Sequence, residues 1–194
     1  MKKEPIILIG GGGHCKSVID VIEQQAVYEI AGIVDIPEKL GEKVFNYEII
    51  GQDSDLPMLV KKYNNFHITV GQIKTPESRI RLFNELIKLG ANLPVIISPL
   101  AYVSKHANIE SGTTIMHFAV VNAGAKVGMN CIINTKALIE HDVVIGNHCH
   151  ISTGAIVNGG VQIGDNVFYG SGAVCKEYIT IPENSFIKAN SIVK

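Results

Sequence analysis

Residues 115–139 read IMHFAVVNAGAKVGMNCIINTKALI. In this stretch an aliphatic side chain returns at every sixth place: Ile115, Val121, Val127, Ile133 and Ile139. The period continues without a skip, back through Ile109 and Val103 to Ile97 and forward through Ile145, Ile151, Val157, Ile163, Tyr169, Cys175 and Ile181 to Ile187. Four residues after each stands a mostly small side chain, as at Ala119, Ala125, Cys131, Ala137 and Ala155. A hexapeptide period is the signature of a parallel β-helix. Each hexapeptide supplies one short strand, three close one turn of a triangular prism, and the every-sixth residues fill its interior. Fifteen hexapeptides from 97 to 186 predict five coils of 18 residues. Such coils turn left-handedly, an exception to the right-handed crossover rule. Stacked coils bury one another but leave the end faces open. The tail after Ile187 is expected to cover the last coil, and the preceding domain the first.

Residues 1–92 follow a different period. Ile6-Ile7-Leu8-Ile9 is an unbroken apolar strand of the kind buried on both faces of a parallel sheet. A glycine run, Gly10 to Gly13, and His14 lead into a helix from about Lys16 to Gln25. A second strand, about Tyr28 to Val34, ends at Asp35. Helix Asp55 to Tyr63 and strand His67 to Val70 follow, and Gly71 closes the strand. Thr75-Pro76-Glu77 opens a further helix, with Thr as N-cap and Pro in the first turn. This alternation predicts a small, doubly wound, Rossmann-like α/β domain over 1–92 and the β-helix over 93–194.

The bulk numbers narrow the class. A net charge of −1 offers no basic excess for nucleic acid or anionic membrane. The apolar run at the start stops at Ile9, too short for a secretory core, and no run approaches the ~18 apolar residues of a membrane span. These features point to the cytoplasm. Cys131 and Cys149 stand one coil apart in the slot for small residues, and a reducing compartment keeps them as thiols.

The glycine loop between a buried strand and a helix exposes backbone N–H groups to a phosphate. Asp35, at the end of the second strand, stands where a ribose- or base-binding acid would sit. The spacing Gly10-x-Gly12-x-x-Cys15 lacks the third glycine of the dinucleotide fingerprint. Nucleotide or nucleotide-sugar binding, NAD(P) binding and a ligand-free βα turn all fit the loop.

The 18-residue coil turns the sequence into a map of the prism surface. The neighbours of His141 are Ala123 and Gly159, and those of Asp142 are Gly124 and Gly160. A histidine beside a carboxylate, in a lane of Ala and Gly, has open space around it. An imidazole titrates near neutral pH and suits proton abstraction, and an adjacent acid fixes its tautomer. Gly159 is placed to offer a backbone N–H to an oxyanion. The bland reading is a solvated surface histidine. His150, between Ile132 and Phe168, faces a more crowded wall. His148-Cys149-His150 does not read as a metal site, because Cys149 points inward while both histidines point outward.

The segment from Ile133 to Asp142, with His150-Ile151-Ser152 beyond it, resembles bacterial sugar acyltransferases of the sialic-acid O-acetyltransferase and bacillosamine N-acetyltransferase type. Ile9 to His14, Ile33-Val34-Asp35, and Val70-Gly71 followed by the helix bearing Arg79 match the same family. The resemblance implies a homotrimer with acetyl-CoA as co-substrate in a groove between prisms; no metal is expected, given the inward Cys149. It places the catalytic histidine on His141, its acid on Asp142, and Asn134 close by. Contacts to the acyl donor fall on His150, Gly159, Gly154 and Gly172, and nucleotide-sugar contacts on Gly12, Gly13, His14, Asp35 and Gly71. The implied reaction is direct acetylation of a UDP-4-amino-sugar in surface-glycan synthesis. O-acetylation of a nonulosonic acid is the alternative within the family, and a non-catalytic trimeric scaffold the alternative outside it. The chain departs from the Gly-x-Pro-Ala-Lys tail of many members, which leaves Lys176 and Lys188 as weak candidates for the CoA phosphates.

Overall fold

The computed structural model describes residues 3–194 and divides into two compact units. One runs through Gly71 and resumes over Glu77–Pro94; the other holds Gln72–Pro76 and Val95–Lys194.

In the first unit β1 (Glu4–Ile9), β2 (Tyr28–Val34), β3 (Lys43–Val44), β4 (Tyr47–Gly51) and β5 (Asn65–Ile68) form one sheet in the order β3-β4-β2-β1-β5. All its pairings are parallel except β3 with β4. Three helices accompany it: α1 (Gly13–Gln25), α2 (Leu56–Lys62) and α3 (Glu77–Lys88). Ile7 and Ile9 of β1 share a buried cluster with Leu56 and Leu59 of α2 and Leu82, Phe83 and Leu86 of α3. The alternate residues Ile6 and Leu8 are fully buried outside that cluster, as is the inner face of α1, Val18, Ile19 and Ile22. Side chains alternate across a strand, so helices cover both faces, as the unbroken apolar run of β1 requires. The α1 helix starts at Gly13, earlier than the sequence suggests. The β3–β4 hairpin is an addition to the sequence reading. Its turn residue Phe45 takes φ +54° without the Asn-Gly or Asp-Gly pair that normally announces such a turn.

The second unit is a left-handed parallel β-helix. Its strands, from Ile96–Ile97 to Ile192–Val193, are two residues long and stack in sheets of six, five and six. Pairing is strictly one coil apart, as in Ile132↔His150 and His150↔Phe168. The period runs past Ile187. The tail does not cap the prism but adds a strand, Ile192 on Val174 and Val193 on Cys175. The interior is one continuous cluster in which the every-sixth residues from Ile115 to Ile181 are buried. Ile97, Val103, Ile109, Ile187 and Val193 are only partly buried, being nearer the open ends.

A second column of the repeat lies at the corners. Phe118, Gly124, Asn130, Lys136, Asp142, His148, Gly154 and Gly160 follow one another at intervals of six, all with positive φ. This left-handed conformation favours Gly, Asn and Asp. It lets the corner N–H donate to a carbonyl of the preceding coil, as Asp142 N does to Ala123 O (3.1 Å) and Gly160 N to His141 O (2.9 Å).

Candidate active site

Within the prism unit, His141 and Asp142 occupy the corner that follows strand Leu138–Ile139. Asp142 takes φ +60°, and its Oδ2 lies 2.9 Å from Nδ1 of His141. A carboxylate only accepts, so Nδ1 carries the hydrogen and Nε2 is left as the base. The Asp142 N–H and the His141 carbonyl are both locked to adjacent coils, so the pair rests on a fixed backbone. Glu140 supports it from beside: its Oε2 accepts from the His141 N–H (3.3 Å) and from Asn122 Nδ2 (3.0 Å). Asn158, one coil beyond Glu140, turns away to the Cys175 carbonyl at 2.6 Å.

The imidazole lies against Gly159, where a β-carbon would meet Nε2 at 2.7 Å. The lane of Ala and Gly therefore admits the imidazole itself, while the Tyr178 ring lies against the next glycine, Gly160. His141 is about half exposed, with 53 % of its side-chain surface open, so Nε2 belongs to an accessible group.

Within one copy Asn134 stands one corner before His141. It sits on the corner before strand Leu138–Ile139, and its Nδ2 lies 3.0 Å from Nε2 of His150. His150 is buried, with Nδ1 2.6 Å from the Gln72 carbonyl and its ring edge-on to Phe168 at 5.3 Å. The positive-φ corners Gly154 and Gly172 stand one and two coils beyond Lys136, on the Asn134 corner. The site residues of the prism thus fall into two groups: His141, Asp142 and Gly159 on one corner, and Asn134, Gly154 and Gly172 on the preceding one, with His150 on the strand that leads into it. Cys149 is buried in the prism interior. Among the described residues no group of three His, Cys, Asp or Glu side chains is arranged to hold a metal ion.

In the α/β unit, a cleft of about 250 Å³ opens at the carboxyl ends of β1 and β2, lined by Gly10, Val34, Asp35, Asp53, Ser78 and Arg81 among others. The strand order reverses between β1 and β5, the place where open α/β sheets bind ligands. Asp35 lines the cleft and also bonds to the loop around it. Its Oδ2 accepts the Gly11 N–H (2.7 Å) and Lys39 Nζ (3.0 Å), and its Oδ1 the Ile36 N–H (2.7 Å). Burial pushes its pKa up, but the hydrogen bonds from Ile36, Lys39 and Gly11 outweigh burial and hold it below the usual carboxylate range. The acid is a latch for the glycine loop. Gly12 and Gly13 have open space where a β-carbon would project, and His14 packs beside Gly71. Asp53, Ser78 and Arg81 were not evident as cleft residues in the sequence, because α3 brings Ser78 and Arg81 to the cleft from far along the chain. Arg81 is fixed by Asp53 at 2.6 Å.

Comparison with known proteins agrees with this architecture. Residues 5–86 match the PglD N-terminal domain. The whole chain is similar to a mutant of perosamine N-acetyltransferase from Caulobacter crescentus, solved with CoA and GDP-perosamine. The identity is 29 %, the TM-score 0.92, and the match covers 98 % of this chain and 88 % of that one. It is similar, too, to the acetyltransferase domain of PglB from Neisseria gonorrhoeae in complex with acetyl coenzyme A, at 28 % identity, TM-score 0.88, and 99 % and 93 % coverage. WeeI from Acinetobacter baumannii shares the fold at 21 % identity and TM-score 0.86, over 99 % of this chain and 92 % of that one. Fold and comparisons together define a hexapeptide-repeat acyltransferase. Its N-terminal domain is similar to that of the PglD type over residues 5–86, in agreement with the family resemblance read from the sequence.

Proposed function

We propose that the protein transfers an acetyl group from acetyl-CoA to the amino group of a nucleotide-activated 4-amino sugar, in the synthesis of a surface glycan. The observation that carries this reading is the His141–Asp142 pair, with Nδ1 engaged by the carboxylate and Nε2 available beside Gly159. The neutral amine adds to the thioester carbonyl, forming the N–C bond. His141 Nε2 takes the proton that the nitrogen loses, the C–S bond breaks, and the thiolate leaves as CoA and receives a proton. Asp142 holds the tautomer and stabilises the imidazolium. The Gly159 N–H makes no hydrogen bond among the described residues and is a candidate oxyanion donor.

The acceptor's nucleotide is assigned to the cleft of the α/β unit, with the glycine loop facing phosphate and Asp53, Ser78 and Arg81 at the rim. GDP-perosamine bound to the Caulobacter enzyme supports an acceptor of this class. The two site groups of the prism lie on different corners, and a trimer that sets the His141 corner of one copy against the His150 corner of the next would unite them. No helix of the described residues is long and apolar enough to cross a membrane.

The test is CoA release from acetyl-CoA with UDP- and GDP-linked 4-amino sugars and with sialic acid, for the wild type and His141→Ala. Turnover on a sugar nucleotide that the variant loses supports the reading. Turnover only on sialic acid replaces it with O-acetylation, and no release with any acceptor returns the chain to a binding scaffold.

A further inference from the structure

Residues 72–76 belong to the prism unit although they lie between β5 and α3 in the sequence. Gln72, 1 % exposed, makes two bonds with the prism wall. Its Nε2 donates to the His148 carbonyl at 2.9 Å, and its own backbone carbonyl lies 2.6 Å from Nδ1 of His150. A carbonyl oxygen only accepts, so Nδ1 of His150 carries the hydrogen. The neutral ring then has a bare Nε2, to which Asn134 Nδ2 donates at 3.0 Å. Asn134 Oδ1 accepts the Thr135 N–H at 2.8 Å. A rotated Asn134 amide would set oxygen against the imidazole lone pair and NH2 against an N–H, so the network itself fixes the orientation. Each group dictates the next. One Asn134 amide hydrogen remains without an acceptor among the described residues, on a half-buried side chain.

We propose that Gln72 is a positioning residue for acyl transfer: it holds His150 as the Nδ1–H tautomer, and His150 in turn aims the remaining Asn134 amide hydrogen at the carbonyl oxygen of the acyl group. Asn134 is then the catalytic residue on this corner, and His150 acts through it without donating to the acyl group itself. No proton moves at Asn134. As the amine adds, charge develops on the carbonyl oxygen and the N–H···O bond strengthens; it weakens again when the C–S bond breaks. Gln72 Oε1 is buried without a partner, so the side chain is held in place by its Nε2 bond alone. That bond seats the carbonyl of the same residue on His150.

This inference rests on the acyltransferase reading, but its first measurement does not. Long-range 1H–15N spectra of the full-length protein labelled in histidine report each ring's tautomer, with His150→Asn supplying the assignment. At pH 7 the His150 ring is expected as Nδ1–H. Gln72→Met keeps the side-chain volume and removes the Nε2 donor. It should populate the Nε2–H tautomer and lower kcat about 10²-fold through misplacement, with KM for acetyl-CoA within about twofold. Asn134→Ala should lower kcat by about 10²-fold, the loss of one oxyanion donor, while leaving the His150 tautomer as in the wild type. A wild-type His150 found as Nε2–H or doubly protonated at pH 7 overturns the assignment. So does a Gln72→Met protein with unchanged tautomer and kcat. The Nδ1–H tautomer in a chain that acetylates no acceptor overturns the proposed function, and with it the catalytic role of Asn134, while the hydrogen-bond chain from Gln72 stands.

Discussion

The imidazole of His141 rests on Gly159 so closely that a β-carbon at 159 would fall 2.7 Å from Nε2 and 2.8 Å from Cε1. Contacts that short do not occur, so Gly159→Ala must push the ring off its bond to Asp142. The backbone of Gly159, unlike that of Gly160 at φ +69°, is not left-handed, so the alanine carries no conformational strain of its own. Gly159→Ala is expected to lower kcat by about 10²-fold, the scale of a small misplacement of a catalytic group, with a thermal midpoint near that of the wild type. Gly160→Ala should instead show itself in stability, at about 1–2 kcal/mol for a left-handed residue that gains a β-carbon. Steady-state kinetics and thermal unfolding of the two variants separate site from scaffold.

Asp142→Asn isolates the carboxylate. Asparagine accepts the left-handed corner as readily as aspartate, so the fold should tolerate the change. The amide can offer NH2 to Nδ1 and favour the wrong tautomer, and it cannot balance an imidazolium. By analogy with the triad aspartate of serine proteases, kcat should fall by about 10²- to 10⁴-fold. A variant retaining more than about half of wild-type kcat would show that the pair at 2.9 Å has no part in the chemistry.

Asp35→Ala removes the acceptor of two backbone N–H groups and one ammonium. The loss should destabilise the protein by about 1–3 kcal/mol and loosen the glycine loop, raising KM for the sugar nucleotide more than KM for acetyl-CoA. Equal increases in both would place the loop outside acceptor binding.

His67 gives the α/β unit a pH-dependent stability. It is fully buried, with Nδ1 3.3 Å from the Pro94 carbonyl, and burial with the nearby Arg79 charge lowers its pKa to about 3. In the unfolded chain a histidine titrates near 6.5. Between those values the unfolded state binds the extra proton, so stability falls as pH drops, by up to about 1.4 kcal/mol per pH unit. Above pH ~6.5 the group contributes no slope. Urea midpoints at pH 7, 6 and 5 should decline for the wild type and decline less for His67→Phe. Asp35, lowered in the fold, adds its own loss only below the ordinary carboxylate range.

The prism was legible because its interior repeats a chemical requirement every six residues, and the 18-residue rule brought His141 to Gly159 without coordinates. The corner column was legible in principle, since Gly124, Asn130, Asp142, Gly154 and Gly160 already favour left-handed backbone, but the apolar column concealed it. The family resemblance put Asn134 close to His141, whereas within one copy the intervening strand Leu138–Ile139 carries the chain to the next corner. Its bond to His150 spans 16 residues rather than 18, so the stacking rule passes over it. The role of Gln72 was hidden for a related reason: a loop at residue 72 reaches a strand at residue 150 only through tertiary structure. Asp35 was legible as an acid at a strand end, but its bonds to Gly11, Ile36 and Lys39 were not, because they depend on how the loops close around it.

The strict pairing of each strand with one eighteen residues away sets a rule for length. A coil can be inserted or removed only whole if each strand is to keep its face, because a single hexapeptide would leave the apolar column inside but shift every later corner by one. Each coil adds one strand spacing, roughly 5 Å along the axis. The prism is therefore a ruler with a single graduation, and the distance from His141 to either end changes in whole steps while the contact with Gly159 stays fixed. Under the proposed function, length along the axis and chemistry at the corner are separately adjustable: an engineered copy with one extra coil would lengthen the wall beside the donor without altering the contact of His141 with Gly159.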